Sequence, residues 1–295
     1  MAAAFHDRDG KIWFDGQMVD WRSVNIHVLT HALHYAGAVF EGERVYGGQV
    51  FKLREHTQRL LDSAKTMGYS IPYSVEQLEQ ATNDVIRTQK IVDGYVRPIA
   101  WRGSEMMGVA AQKNSIHVAI ATWEWPSYFD PEAKTKGIKL MMSRWKRPSP
   151  ETAPVHAKTS SLYAICTMGK HEAEQNGFHD ALMLDWRGQV AEATGANFFM
   201  VKNGELHTPT PDCFLDGITR RTVIDLARAR NIKVVERAIM PDELKTADEI
   251  FLVGTAAEVT AVGVIGELTF KVGPVTQLLA DEYSKEVRKN VAKAA

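Results

Sequence analysis

The sequence predicts an α+β protein of two domains, and three observations carry that prediction. The chain has 295 residues, enough for two cores. Segments with strand alternation outnumber segments of helical period in both halves and do not alternate regularly with them, which disfavours a doubly wound parallel sheet. A stretch with two prolines and mixed charge, EWPSYFDPEAKTKG (124–137), breaks the pattern near the middle and reads as a linker. The predicted organisation is a small N-terminal α+β domain (1–122), a linker (123–136) and a larger C-terminal domain (137–295).

Each element has a local reason. KIWFDGQMVDW (11–21) reads as a hairpin around Asp15-Gly16, and FEGERVYGGQVFKL (40–53) as a second one turning at Gly47-Gly48. REHTQRLLDSAKTMGY has helical period. In SVEQLEQATNDVIRTQKI, Ser74 and Gln77 suit a capping box. GYVRPIAWRG and SIHVAIATW read as strands of one antiparallel sheet. Beyond the linker, IKLMMSRWKR is a strand and SSLYAICTMGKHEAEQNGF a helix that Gly177 closes. Several short strands joined by Gly-bearing turns follow in DALMLDWRGQVAEATGANFFMVKNGELHTP. ITRRTVIDLARARN is a helix, IKVVERAI a strand, and EIFLVGTAAEVTAV two strands around a tight turn. GPVTQLLADEYSKEVRKNV closes the sequence as an amphipathic helix.

Charge and composition narrow the function classes. Lys and Arg number 35 against 36 Asp and Glu, which argues against a dedicated nucleic-acid or anionic-membrane surface. No apolar run approaches the roughly 20 residues of a membrane helix, and MAAAFHDRDG lacks the pattern of a secretory signal. Cys166 and Cys213 are far apart without CxxC spacing, as for quiet thiols in a reducing compartment; a cytoplasmic protein is expected. His27, His31 and His34 have helical spacing, but no HExxH and no completing carboxylate accompany them, so packing is favoured and no metal is expected. Met106-Met107 and Met141-Met142 read as core filler. GxGxxG, Walker and Gly-x-Ser-x-Gly motifs are absent, against nucleotide-binding and serine-hydrolase readings.

The segment APVHAKTSSLY (153–163) isolates Lys158 among small and hydroxyl residues. Taken alone, a lysine is far more often a solvated charge than a catalyst. A lysine becomes a nucleophile toward carbonyls when burial or a neighbouring cation favours its neutral amine, a chemistry that suits pyridoxal phosphate. That cofactor needs a phosphate cradle and an acid for its ring nitrogen. FLDGITRRTVIDLA places Gly217, Ile218 and Thr219 at a helix start, where free amides favour an anion. VGTAAEVT offers a second small-residue turn, Gly254 to Ala257. QVAEATGANFF sets Glu192 between small residues after an apolar strand. Each has an ordinary reading as a cap, a turn or a surface acid, and alone the ordinary reading is the better one.

Together, these motifs make the sequence resemble the branched-chain amino acid aminotransferases, which are fold type IV pyridoxal-phosphate enzymes. The resemblance runs from IWFDGQMVDW to GPVTQLL. It rests on HALHYAGAVFEGERVY, REHTQRL, YVRP, the lysine segment, EATGANFF, DGITRRTVIDLA and GTAAEVT, in the family's order. It implies the two-domain fold type IV pyridoxal-phosphate aminotransferase fold, which is D-amino acid aminotransferase-like, with pyridoxal 5'-phosphate as cofactor.

By position the resemblance implies that Lys158 binds the cofactor covalently and moves the substrate proton. Glu192 would pair with the ring nitrogen and Tyr163 with the phenolic oxygen. Arg59, Gly217, Ile218, Thr219 and Thr255 would serve the phosphate. The backbone of Thr255, Ala256 and Ala257 would take the substrate carboxylate, with Tyr95 and Arg97 nearby. Tyr35, Phe40, Val109 and Trp125 would wall an apolar pocket, and Arg44 would stand near the site for glutamate. Two departures stand out. Thr159, Ser160 and Ser161 replace the small residues, often Ala-Gly, that usually follow the lysine, which bears on substrate range. Glu43 is a charge where many relatives are apolar, and could tune or compete for Arg44.

The implied reaction is amino transfer between Leu, Ile or Val and 2-oxoglutarate, in at least a homodimer. Three alternatives stay open: an (R)-selective amine or D-amino acid transaminase of the same fold, an aminodeoxychorismate lyase, and a non-catalytic protein on the same scaffold. Retention of Tyr95, Arg97 and Arg44 favours the L-branched-chain reading.

Overall fold

A computed structural model describes residues 4–125 and 136–289. They divide into two compact units. The first comprises the described residues through 125 together with Ala157–Ser161; the second comprises residues 136–156 and Leu162–Lys289. The lysine segment therefore groups with the N-terminal unit, although it lies beyond residue 137 in sequence. Of the stretch read as a linker, residues 126–135 lie outside the described residues, and Trp123 and Glu124 still pair in a strand.

The first unit opens with the hairpin β1 (Lys11–Phe14) and β2 (Gln17–Asp20). Asp15 and Gly16 sit at its tip with φ of 45° and 93°, the backbone that a two-residue hairpin turn requires. After α1 (His31–Tyr35) come β3 (Ala38–Phe40), β4 (Glu43–Tyr46) and β5 (Gln49–Val50), with Gly47 and Gly48 turning the second hairpin at φ of 56° and 79°. Helix α2 spans Leu53–Thr66 and α3 spans Val75–Gln89, the latter opened by the reciprocal Ser74–Gln77 capping box. Strands β6 (Gly94–Arg102) and β7 (Ile116–Glu124) pair along their whole length. The described strands form a sheet in the order β2-β1-β7-β6-β4-β5, with β3 also on β6.

Both faces of this sheet are used. Val39, Val45, Val96, Ala100, Val118 and Ile120 pack against Leu60 and Ala64 of α2 and Leu78 and Val85 of α3. Each of these buried Val, Leu and Ile side chains contributes about 1.5–3 kcal/mol. Alternation sends the next residues the other way, where Ile99, Trp101 and Trp123 belong to an aromatic-rich cluster. Tyr95 and Arg97 share that face by parity, as do Phe40, opposite Ile99, and Arg44, opposite Tyr95.

The second unit contains β8 (Ile138–Met142), α4 (Tyr163–Gln175), β9 (Asp180–Leu184), β10 (Val190–Ala193), β11 (Asn197–Lys202) and β12 (Glu205–Thr208). Then follow α5 (Ile218–Ala229), β13 (Val234–Glu236), β14 (Glu249–Gly254), β15 (Glu258–Ile265), β16 (Leu268–Thr269) and α6 (Pro274–Arg288). The strand order is β10-β9-β8-β15-β14-β11-β12-β13, and β10 also pairs with β11. That extra pairing closes a six-stranded ring, a barrel in which closure removes the sheet edges. Ile138, Leu140, Leu182, Phe198, Met200, Leu252 and Val262 form its apolar cluster.

Most predicted elements have their expected type. A 3-10 turn (Ser160–Leu162) precedes α4, so this helix starts later than its pattern implied, and Gly177 follows it at φ 77° as predicted. β13 is shorter than IKVVERAI because it is an edge strand, paired only with β12. No helix among the described residues is long and apolar enough to cross a membrane.

Candidate active site

Lys158 is fixed through its backbone. Its N–H donates to Ser63 Oγ at 3.0 Å, and its carbonyl accepts the N–H of Phe40 at 3.1 Å. Thr159 forms an antiparallel bridge with Val39, and its hydroxyl donates to the Ala38 carbonyl at 3.0 Å. Ser160 Oγ donates to the carbonyls of Ala36 (2.9 Å) and Ala38 (3.3 Å). The hydroxyls that depart from the family pattern thus pin the lysine segment to β3, a role that sequence reasoning did not give them. Lys158 Nζ lies 5.0 Å from the centre of the Phe40 ring.

Phe40 belongs to a larger group on the same sheet face. The Arg97 guanidinium lies 4.7 Å from the Phe40 ring centre and 5.5 Å from that of Tyr95. Arg97 Nη2 also donates to Tyr95 Oη at 3.4 Å. Tyr95 in turn packs on Trp125 at 4.7 Å and Trp123 at 5.4 Å. Gly42 makes this possible: a Cβ there would stand 1.9 Å from Tyr95 Oη. Arg44 is buried and lies over the ring of Tyr46 at 5.5 Å.

Tyr35 and Val109 form a second group. Tyr35 Oη donates to the Met107 carbonyl at 3.2 Å and its ring stacks on His31, whose Nε2 contacts the Gly108 carbonyl at 3.0 Å. Tyr35 is 44% exposed and Val109 83% exposed in the single chain. His31 is buried and packs as expected, whereas His27 and His34 are exposed. Among the described residues, the one cluster with metal-ligand spacing is Asp185, Asp212 and Cys213. Arg187 ion-pairs with both carboxylates there, at 2.6 and 2.7 Å.

Behind β3 and β4 lies a buried ionic cluster that sequence reasoning missed. Glu41 accepts from Arg59 through both oxygens, at 2.6 Å from Nε and 2.8 Å from Nη2, and from His56 Nδ1 at 2.7 Å. Burial pushes the Glu41 carboxyl up, but the Arg59 cation and the two donors overcome it and hold the group far below the usual carboxylate range. Burial favours neutral His56 and lowers its pKa, with Arg59 and Lys158 reinforcing the shift against Glu41. Glu43 stands well above the usual range because it is buried beside Glu41. Adjacent strand residues point to opposite faces, so Glu43 joins Glu41 rather than Arg44.

In the second unit Asn197 gathers three predicted features. It lies opposite Glu192 in register, and its Nδ2 donates to Glu192 Oε2 and to the Leu215 carbonyl, both at 3.1 Å. Its Oδ1 fills the space where a Gly217 Cβ would sit, at 2.2 Å. Gly217 is the N-cap of α5, so no side chain caps the buried first turn with Ile218 and Thr219. The turn Thr255, Ala256, Ala257 joins β14 to β15, Ala257 O accepting from Thr260 Oγ1 at 2.6 Å. Gly254 lies so close to Gly195 that an added Cβ would meet its carbonyl oxygen at 3.3 Å.

The run RWKR reads from sequence as a basic strand end, yet its Arg147 is 4% exposed, with Nε 3.4 Å from Glu192 Oε1. Tyr163 begins α4, half-buried, within electrostatic range of Arg147. Each unit carries groups whose chemistry suits pyridoxal phosphate: the first a backbone-anchored lysine, the second a carboxylate that accepts from Asn197 and faces Arg147, and an uncapped helix start whose amides suit a phosphate.

Comparisons with known proteins point the same way. The family described as amino-transferase class IV matches residues 38–265. A branched-chain-amino-acid aminotransferase of Pseudomonas aeruginosa is 42% identical over 284 residues, covering 94% of this chain and 92% of that protein. The crystal structure of the Escherichia coli branched-chain amino acid aminotransferase superposes with a TM-score of 0.91 at 38% identity, over 94% of each chain. That of the branched-chain amino acid aminotransferase from Thermobaculum terrenum, in its PLP-bound holo-form, gives 0.87 at 30% identity, over 95% of this chain and 94% of that one.

Proposed function

The chain belongs to the class IV aminotransferases, and from this membership we infer a pyridoxal-phosphate-dependent transamination of branched-chain L-amino acids. The amino group of Leu, Ile or Val passes to 2-oxoglutarate, giving the branched-chain 2-oxo acid and glutamate. The observation that carries the reading is the setting of Lys158, fixed to β3 with its amine 5.0 Å from the centre of the Phe40 ring, a ring that Arg97 also approaches.

The residues divide the work by their chemistry. When bound, the cofactor supplies an electron sink for the bonding pair released at the substrate Cα. Lys158 Nζ would take the Cα proton as base and, as the resulting ammonium, deliver it to C4′ of the bound cofactor, with the opposite transfer in the second half-reaction. Glu192 acts as a carboxylate toward the ring nitrogen. The first-turn amides at Ile218 and Thr219, with Thr255 and Arg59, bind the phosphate. Amides of the Thr255–Ala257 turn receive the α-carboxylate. A single pocket must accept an apolar side chain and a γ-carboxylate in turn. Phe40, Tyr95 and Trp125 supply apolar walls, and Arg97 with the Tyr95 hydroxyl supplies the polar rim.

The active species is at least a homodimer. Val109, Tyr35, Leu33 and Val28 form an exposed apolar group joined by the Tyr35–Met107 and His34–Val28 contacts, which a second copy would cover. Buried free thiols at Cys166 and Cys213 support a reducing, cytoplasmic setting. Single-turnover absorbance with L-leucine, D-alanine and (R)-1-phenylethylamine tests the reading. L-leucine alone should convert the bound cofactor rapidly; preferential conversion by either of the others would overturn the substrate class.

A further inference from the structure

We propose that Arg147 is a positioning residue: with Asn197 it holds Glu192 as an ionised carboxylate in one orientation, and so governs how strongly Glu192 keeps the cofactor's ring nitrogen protonated. The inference deepens the reading above and rests on the role given there to Glu192.

Arg147 is held from its own backbone. Its N–H donates to the Leu184 carbonyl at 2.8 Å, and it forms a parallel bridge with Asp185 at the end of β9. The side chain enters the protein, where the residue is 4% exposed. Its Nη1 donates to Cys166 Sγ at 3.5 Å, and that thiol donates to the Leu162 carbonyl at 3.4 Å. Its Nε faces Glu192 Oε1 at 3.4 Å, an ion-pair separation without the alignment of a hydrogen bond. Asn197 Nδ2 donates to the other oxygen, Oε2. One carboxylate oxygen thus accepts a hydrogen bond from β11, and the other faces a cation carried by the chain after β8.

The charges explain why this arrangement matters. A buried guanidinium needs an anion beside it. The titratable groups facing Arg147 are Glu192, Cys166, Tyr163 and Cys213. Burial pushes the Cys166 thiol up to about 11 and that of Cys213 up to about 12, so both are neutral at physiological pH. Glu192 is therefore the carboxylate counter-ion. Burial is the largest single influence and would weaken the Arg147 cation, yet its pKa is raised overall, with Glu192 the largest of the opposing charges. A cation bonded to a carboxylate lowers that carboxylate's proton affinity, so a proton shared with a pyridine stays on the nitrogen. A hydrogen bond on one oxygen and a cation facing the other also restrict the carboxylate's rotation before any ligand arrives.

The test uses holoenzyme loaded with cofactor labelled with 15N at the ring nitrogen. Glu192→Gln should move the 15N resonance toward the neutral-pyridine position. Arg147→Met should move it the same way and lower kcat about 10- to 100-fold, the range for partners that orient a site ligand, with little change in KM for L-leucine. Arg147→Lys should restore most of both. In the Glu192→Gln background Arg147→Met should cost no further kcat, since its effect passes through Glu192. Should Arg147→Met not fold, Arg147→Gln carries the same expectation. A wild-type 15N resonance in the neutral Arg147 variants, or full additivity in the double variant, would overturn the inference while leaving the proposed function standing. An unchanged resonance in Glu192→Gln would overturn both.

Discussion

The backbone N–H of Lys158 donates to the hydroxyl of Ser63, 3.0 Å away, and this bond ties the lysine segment to helix α2. Ser63 is buried, so Ser63→Ala leaves a buried amide without its acceptor. We expect a loss of about 1–3 kcal/mol in unfolding free energy by chemical denaturation. A midpoint equal to wild type would show that the bond carries no stability.

The hydroxyls of Thr159 and Ser160 pin the same segment from the other side. Thr159→Ala keeps the residue small while removing its donor to Ala38. It should lower kcat several-fold, with cofactor affinity by equilibrium dialysis falling in step, because the lysine loses part of its register on β3. Unchanged values of both would contradict this.

Glu43 gives a pH-dependent prediction. Its folded pKa lies well above the ordinary 4.5 through burial and the nearby Glu41. Stability is then full below pH 4.5 and is lost as pH rises toward the folded value, since the unfolded chain releases the proton first. Glu43→Gln removes this loss. Its Tm should exceed wild type at pH 8, with the gap narrowing toward pH 4.5. A constant offset across that range would show that the shift is not the cause.

Glu192→Gln should keep cofactor binding but slow the half-reaction with L-leucine, because a neutral ring draws electrons from the Cα bond less well. Stopped-flow single turnovers check this, and a wild-type rate would refute the role of the carboxylate.

Val109→Asp places a charge on an 83% exposed apolar residue. Sedimentation should show dissociation of the oligomer with loss of activity. A wild-type sedimentation profile would remove this surface from the proposed interface.

Much of the fold was legible because local signals are strong where period and turn chemistry agree. Asp15-Gly16, Gly47-Gly48 and the Ser74–Gln77 box act within a few residues, and the structure has each of them. β3 was not legible, because three residues, Ala38–Phe40, carry no period of their own and become a strand only by pairing with β6. At the site, Lys158, Glu192 and Gly217 were readable from ordered motifs. Arg147 was not: it lies in RWKR, which reads from sequence only as the end of the strand IKLMMSRWKR. Its burial depends on barrel strands far apart in sequence. The Glu41–His56–Arg59 cluster was hidden for the same reason, since a strand end and a helix face meet only in the fold. The hydroxyls after Lys158 are visible in the sequence but their role is not, because their acceptors are β3 and α1-proximal carbonyls more than a hundred residues away.

All of this chemistry requires covalent attachment of the cofactor at Lys158. Borohydride reduction of the enzyme loaded with pyridoxal 5'-phosphate, followed by proteolysis and mass spectrometry, tests it most directly. One pyridoxyl-labelled peptide is expected, bearing the label on Lys158 and absent from Lys158→Ala. A label on another lysine, or none in the wild-type protein, would contradict it.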